Sequence, residues 1–511
     1  MKPSKYKLPA IHRQHKGLMT NHTQMNPQIV PQIIQGGMGV GVSSWQLAQA
    51  VSAASTPQAS SLGVVSGTAL DQVFARRLQD GDLGGHMRRA LNAFPFQAMA
   101  ARVWRAYFIA GGKAAHDPYI FIAPHSHATP RETLELTLVG NFAEVFLARE
   151  SPDGKAGQTN PVGINYLEKI QAALLPSLYG AMLAGVDTVL IGAGIPLKVP
   201  GTLDLFANHQ PATYPLHVVG ALPDEHTEIH FNPADFAELT LPPLKRPQFL
   251  AIISSNTLAI TLLKKANGRV DGFIIETHTA GGHNAPPRGK LQLTPAGEPI
   301  YTDRDEVDLP KLRDLNIPFW LAGGYGHPDK LREALAQGAA GIQVGTAFEF
   351  ADESGLHPTY KQALLDKVIS GTATIFTDPL ASPTGFPFKL AELAGTASDP
   401  TTTRPRICNL GFLRTTYRTP EGTIGYRCAA EPPSLYIAKG GNPEDTAGRK
   451  CICNGLLANI GHPQILAGNH IEPALITAGD DLPTILQFLP PNQTHYTAQN
   501  VLTQLQKGLT I

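Results

Sequence analysis

His283 ends the run Glu276-Thr-His-Thr-Ala-Gly-Gly-His. An imidazole titrates near neutrality, about pH 6.5, so it takes or gives a proton under ordinary conditions. Two glycines stand before it, an apolar run stands before them, and a long irregular loop follows. That context makes His283 the candidate catalytic group. His278 competes for the role. Glu276 is a candidate to orient either imidazole or simply to end the strand.

Two further glycine turns lie close by, Ala322-Gly323-Gly324 and Gly345-Thr346. Each closes an apolar run. Glycines at strand ends let main-chain N–H groups approach an anion with no Cβ in the way. The pair is expected to bind phosphate, with Thr346 adding a hydroxyl; tight packing turns are the bland alternative. A third such exit, Gly36 to Gly41, includes Gly37, Met38 and Gly39. Gly37 and Gly39 form G-x-G, but the next glycine is Gly41, one place early. The next acidic residue is Asp71, too far on for a dinucleotide fingerprint.

All four cysteines lie in the last part of the chain, at Cys408, Cys428, Cys451 and Cys453. Cys451 and Cys453 are two apart, which in a turn lets both reach one ion. Their clustering raises a shared metal site, zinc or an iron–sulfur cluster. Reduced structural thiols and a disulfide are the other readings. The spacing lacks the paired knuckles of a zinc finger.

Stepping outward, eight short apolar segments are needed to hold these groups. They are Gln32 to Gln35, Leu62 to Val65, Val162 to Ile164, Asp187 to Ile191, Phe249 to Ile253, Val270 to Ile275, Pro318 to Leu321 and Gly341 to Val344. Such runs are too short for helices and fit strands buried on both faces. Helical spacing falls between them, as in Trp45 to Ala54, with Ser43 or Ser44 as cap, and in Pro328 to Gln337. The pattern predicts an α/β fold, a (β/α)8 TIM barrel whose ligand groups collect at the strand C-termini. Asn165 and Gly192 occupy such positions.

The expected organisation is a flexible basic arm over 1–25, a barrel over 26–375 and a Cys-bearing C-terminal extension over 376–511. A helical insertion is expected at about 84–150, with long helices over Met87 to Phe108 and Arg131 to Glu150. A Pro-rich insertion is expected at about 196–247, with short strands Leu216 to Val219 and Glu228 to Phe231. His12, His15 and His22 in the arm, and His125 and His127 in the helical insertion, read as surface or structural.

The chain has 511 residues, 42% hydrophobic and 16% charged, a globular composition. Lys+Arg and Asp+Glu both number 41. A net charge of zero gives no drive toward nucleic acid or an anionic membrane. No run reaches the roughly 18 apolar residues of a membrane span. No apolar segment follows the basic start as in a secretory signal. A cytoplasmic enzyme is expected, with homo-oligomerisation left open.

In these residues the chain resembles the nitronate monooxygenase family, the 2-nitropropane-dioxygenase-like flavoproteins. The matching pieces are IIQGGMGVGVS from Ile33, AGGH from Ala280, AGGYG from Ala322 and GIQVGTAF from Gly341, in family order. The resemblance implies an FMN-binding barrel. It implies that Gly37, Met38 and Asn165 lie near the flavin ring or ribityl chain, and that Gly281, Gly282, Gly323, Gly324, Gly345 and Thr346 hold the phosphate end. His283 matches the family's active-site histidine. Gly36-Gly37 departs from the Ala-Pro that many members carry before the methionine. The insertions and the tail are larger than in compact members, which suggests a long-chain branch.

The activity this implies is oxidation of an alkyl nitronate with O2, giving a carbonyl compound and nitrite. An FMN-dependent enoyl-thioester reductase, of the enoyl-ACP type and fed by NAD(P)H, resembles the same barrel and is the alternative. A barrel without chemistry, recruiting a partner through its tail, is the non-enzymatic reading.

Overall fold

The computed structural model describes residues 30–151, 159–466 and 470–509. The basic arm expected at 1–25, with its three histidines, lies outside the described residues.

Eight parallel strands close into a barrel: β1 (Ile33–Gln35), β2 (Ser61–Ser66), β3 (Val162–Leu167), β4 (Thr188–Gly192), β5 (Gln248–Ile253), β6 (Gly272–Glu276), β7 (Phe319–Ala322) and β8 (Gly341–Val344). Neighbours in the ring are neighbours in sequence, and β8 returns to pair with β1 through Ile33 and Ile342. All eight predicted strands are present, with ends shifted by at most three residues. Apolar runs specify such strands because each has two buried faces. Ile34, Leu62, Val64, Leu190, Leu250, Ile274 and Trp320 fill the barrel interior. Their alternating neighbours, such as Val65, Phe249, Phe273 and Phe319, pack in the larger core with the surrounding helices. The Trp320 indole N–H donates to the Pro31 carbonyl oxygen at 2.6 Å and so is satisfied inside the barrel.

The helix Trp45–Ala53 starts where expected, and Ser44 is its cap, accepting the Leu47 N–H. Ser43 turns the other way and holds the β1 exit. The segment between β2 and β3 is helical, but the expected helix from Met87 to Phe108 is two, His86–Ala93 and Gln97–Tyr107. Pro95 falls between them, and proline cannot continue a helix from within. Arg131–Arg149 runs as one helix.

In the Pro-rich segment Glu228–Phe231 is a strand as expected, but it pairs with Ala212–Pro215. The expected strand Leu216 to Val219 does not form. Leu216 only continues the hairpin by taking the Thr227 carbonyl, and Val219 bridges to Tyr417 in the C-terminal segment. His125 is buried with Nε2 at 3.0 Å from Asp71 Oδ2, a structural role, and His127 lies at the surface beside Tyr426. Beyond β8, Pro358–Ile369 is a helix, and hairpins follow at Ile375–Asp378 with Phe388–Ala391 and at Thr415–Arg418 with Ile424–Arg427. Among the described residues no helix is long and apolar enough to cross a membrane.

Candidate active site

The strand C-termini open into one cavity of about 550 Å³. That is within the usual range of roughly 300–1,000 Å³ for small-molecule sites. Every barrel residue singled out in the sequence faces it except His278, which lines a smaller neighbouring cavity. Gly37, Met38 and Gly39 come from the β1 exit and Asn165 from β3. Gly281, Gly282 and His283 follow β6; Ala322, Gly323 and Gly324 end β7; Gly345 and Thr346 follow β8.

The β1 exit is held by side chains from its own neighbourhood. Ser43 Oγ accepts the Met38 N–H at 2.8 Å and donates to the Gly36 carbonyl oxygen at 2.8 Å. Gln35 Nε2 donates to the Gly36 carbonyl oxygen and to Ser43 Oγ, and Gln35 Oε1 accepts the Val64 N–H at 3.0 Å. Asn165 Nδ2 donates to the Gly37 carbonyl oxygen at 3.1 Å. A Cβ on Gly37 would stand 2.3 Å from Asn165 Cβ, so only glycine lets β1 and β3 approach this closely.

His283 is fixed by the C-terminal extension. Its Nε2 is 2.7 Å from Ser382 Oγ, and its ring meets Phe388 edge-on at 4.8 Å. Burial holds the imidazole at about pKa 4, so it is neutral at pH 7. Glu276 does not orient it. Nor does it hydrogen-bond His278, whose ring lies against Tyr301 at 4.2 Å beside a smaller cavity of about 80 Å³. Glu276 lines both cavities, and burial raises its carboxyl to about 7.

At the expected phosphate end, Gly282, Gly323 and Gly324 take left-handed φ values of 80°, 90° and 70°. This conformation favours glycine and turns main-chain amides toward one side. A strap from the C-terminal extension lies across these turns. Gly282 N–H donates to Thr477 Oγ1 at 2.6 Å, Asp480 N–H to the Thr279 carbonyl oxygen at 3.0 Å, and Gly479 N–H to Thr346 Oγ1 at 2.9 Å. The Thr346 hydroxyl also bonds Asp481. Two acids lie here: burial raises Asp481, and burial followed by the nearby Asp481 raises Glu349 to about 8. Glu349 therefore carries a proton at neutral pH.

Three buried acceptors on the cavity wall have no partner within the protein: Asn165 Oδ1, Asn284 Oδ1 and Gln343 Oε1. Buried polar atoms without partners are uncommon and costly. Acceptors around a ring-sized space suit the N–H edge of a flavin mononucleotide, and the left-handed glycine turns at Gly323 and Gly324 suit its phosphate. The sequence missed Ser43, Ser382, Thr477 and Asp481. Serines and threonines are abundant, and nothing local marks these four.

The cysteines did gather, but not as ligands. All four line one small cavity, yet among the described residues no three His, Cys, Asp or Glu side chains are arranged to hold a metal ion. The expected metal site is therefore corrected to free thiols. Cys451 Sγ is engaged otherwise: it accepts from Asn454 Nδ2 at 3.4 Å and donates to the Ile407 carbonyl oxygen. The neighbouring thiols of Cys408 and Cys428 act on each other, lowering Cys408 and raising Cys428.

A probable nitronate monooxygenase of Bacillus subtilis (strain 168) is 32% identical over 124 residues, which are 24% of this chain and 33% of that protein. The chain thus spans about a third of that relative's length. FabK from Thermotoga maritima aligns over 94% of this chain and 93% of its own, with 15% identity and a TM-score of 0.44. A nitroalkane oxidase from Streptomyces ansochromogenes aligns over 94% and 95%, with 16% identity and a TM-score of 0.41. Residues 231–380, which hold β5 to β8, His283 and both glycine turns, match the family described as nitronate monooxygenase, and over that stretch the resemblance read from the motifs is a finding.

Proposed function

We propose that the chain is an FMN-dependent oxidoreductase that oxidises alkyl nitronates with O2. The observation that carries this is the convergence of His283, the β6 to β8 glycine turns and unpartnered Asn165 Oδ1 and Gln343 Oε1 on one cavity, inside the stretch that matches the family. In this reading Asn165 and Gln343 meet the ring edge, and the turns at Gly323 and Gly345 hold the phosphate. The flavin, when bound, supplies the redox step.

The protein's own residues divide the rest. His283, uncharged and pinned by Ser382, orients the anionic substrate by a hydrogen bond. Glu276, with a proton affinity matched to neutral pH, is the group suited to hold or move a proton. Phe386, Phe388 and Phe412 exclude water from the mouth.

One observation favours a second reading, reduction of an enoyl thioester. The C-terminal extension adds Phe386, Phe388, Phe412, Leu413, Ile452 and Leu456 to the wall, a longer apolar surface than a small nitronate needs. Anaerobic mixing of flavin-loaded protein separates the two. Bleaching by an alkyl nitronate and not by NADH or NADPH is expected. Rapid bleaching by a nicotinamide donor alone would move the assignment to a reductase.

A further inference from the structure

The thiols are unused by that chemistry. They come from separate segments, yet Cys408, Cys428, Cys451 and Cys453 share one cavity of about 10 Å³. The four are not equivalent. Cys428 and Cys451 are buried, and Cys408 and Cys453 are partly exposed. Cys428 is the neighbour that most lowers the Cys408 thiol, with help from the Arg414 guanidinium, while burial and Glu431 push it the other way. Both partners line the same small cavity and lie outside helices and strands, where no ladder or helical hydrogen bond holds the backbone at that residue. Leu413, Ile452 and Cys453 line this cavity and the large one together. The pair therefore sits one residue behind the wall of the candidate active site.

We propose that Cys408 and Cys428 form a peroxide-responsive dithiol that closes to a disulfide. The Cys408 thiolate attacks one oxygen of hydrogen peroxide. The O–O bond breaks, leaving a sulfenic acid, and the departing oxygen takes a proton to become water. The Cys428 sulfur then attacks the sulfenic sulfur. The S–O bond breaks, the S–S bond forms, and the second oxygen leaves as water. Two thiols lose two electrons and two protons, and one peroxide becomes two waters. The space admits about one water-sized molecule, which favours a small oxidant over a bulky disulfide. Two-electron reduction of O2 in the adjoining cavity would supply peroxide where it is consumed, but the dithiol chemistry does not depend on the flavin reading.

The test uses the full chain, treated with one equivalent of hydrogen peroxide, then alkylated under denaturing conditions and mapped by mass spectrometry. Loss of two thiols, a Cys408–Cys428 linked peptide and full recovery with dithiothreitol are expected. Oxidised glutathione should form the same link about tenfold more slowly. In Cys428→Ser, Cys408 should stop as a sulfenic acid trapped by dimedone; Cys451→Ser should still form the link. The wild-type map stands alone if either variant fails to fold. A link through Cys451 or Cys453, no link at all, equal rates with glutathione disulfide, or a stoichiometric zinc or iron released with the thiols would each overturn the proposal.

Discussion

His283 and Ser382 are 99 residues apart in sequence and 2.7 Å apart in space. One belongs to the β6 exit of the barrel and the other to the C-terminal extension. The extension therefore sets the orientation of the candidate catalytic ring. Ser382→Ala should lower turnover about tenfold, as loss of one positioning hydrogen bond does, with flavin content unchanged. His283→Ala should keep the yellow spectrum and lose most turnover. Full nitronate oxidation by that variant would remove His283 from the mechanism.

Glu276 is the titrating group in the cavity best placed for neutral pH. With its carboxyl raised to about 7, wild-type turnover should show a limb near that pH. Glu276→Gln should erase the limb and lower the plateau by about a hundredfold. A variant whose pH profile overlays the wild type would show that the limb belongs to another group.

Near the expected phosphate end, Glu349 should make cofactor affinity depend on pH. Below about 8 it is neutral and tolerates an anion; above, it is a carboxylate and repels one. FMN should bind more weakly as pH rises through 8, and Glu349→Gln should flatten the curve. The same group acts on folding. Its folded pKa lies above the ordinary carboxyl value of about 4.5, so its contribution is fully present below that pH. It is lost as pH rises through about 8. The melting temperature should therefore fall between pH 6 and 9, less so in Glu349→Gln. Melting curves that do not separate would sink the assignment.

Two glycines should separate site from scaffold. Gly37→Ala places a Cβ against Asn165 at 2.3 Å and should abolish flavin binding with the fold retained. Gly140→Ala places one 2.6 Å from the Leu70 carbonyl oxygen, between two helices, and should cost about 1–3 kcal/mol of stability. The folded fraction should still bind flavin. Circular dichroism and flavin fluorescence on each variant decide this.

The primary structure determined the eight strands, their order and the residues at their exits, because these depend on local signals. A strand buried on both faces must be apolar throughout, and a turn that approaches a ligand must be bare. Pro95 also declared itself locally, although the periodicity around it suggested one helix. What only the tertiary structure decided involves partners brought together by chain closure. Thr477 meets Gly282 and Gly479 meets Thr346 across more than a hundred residues, and no periodicity encodes such a meeting. The cysteines show the same division. Their clustering in the chain suggested a shared ion, but the packing of distant loops left four free thiols around one small cavity instead, with no metal-holding group among the described residues.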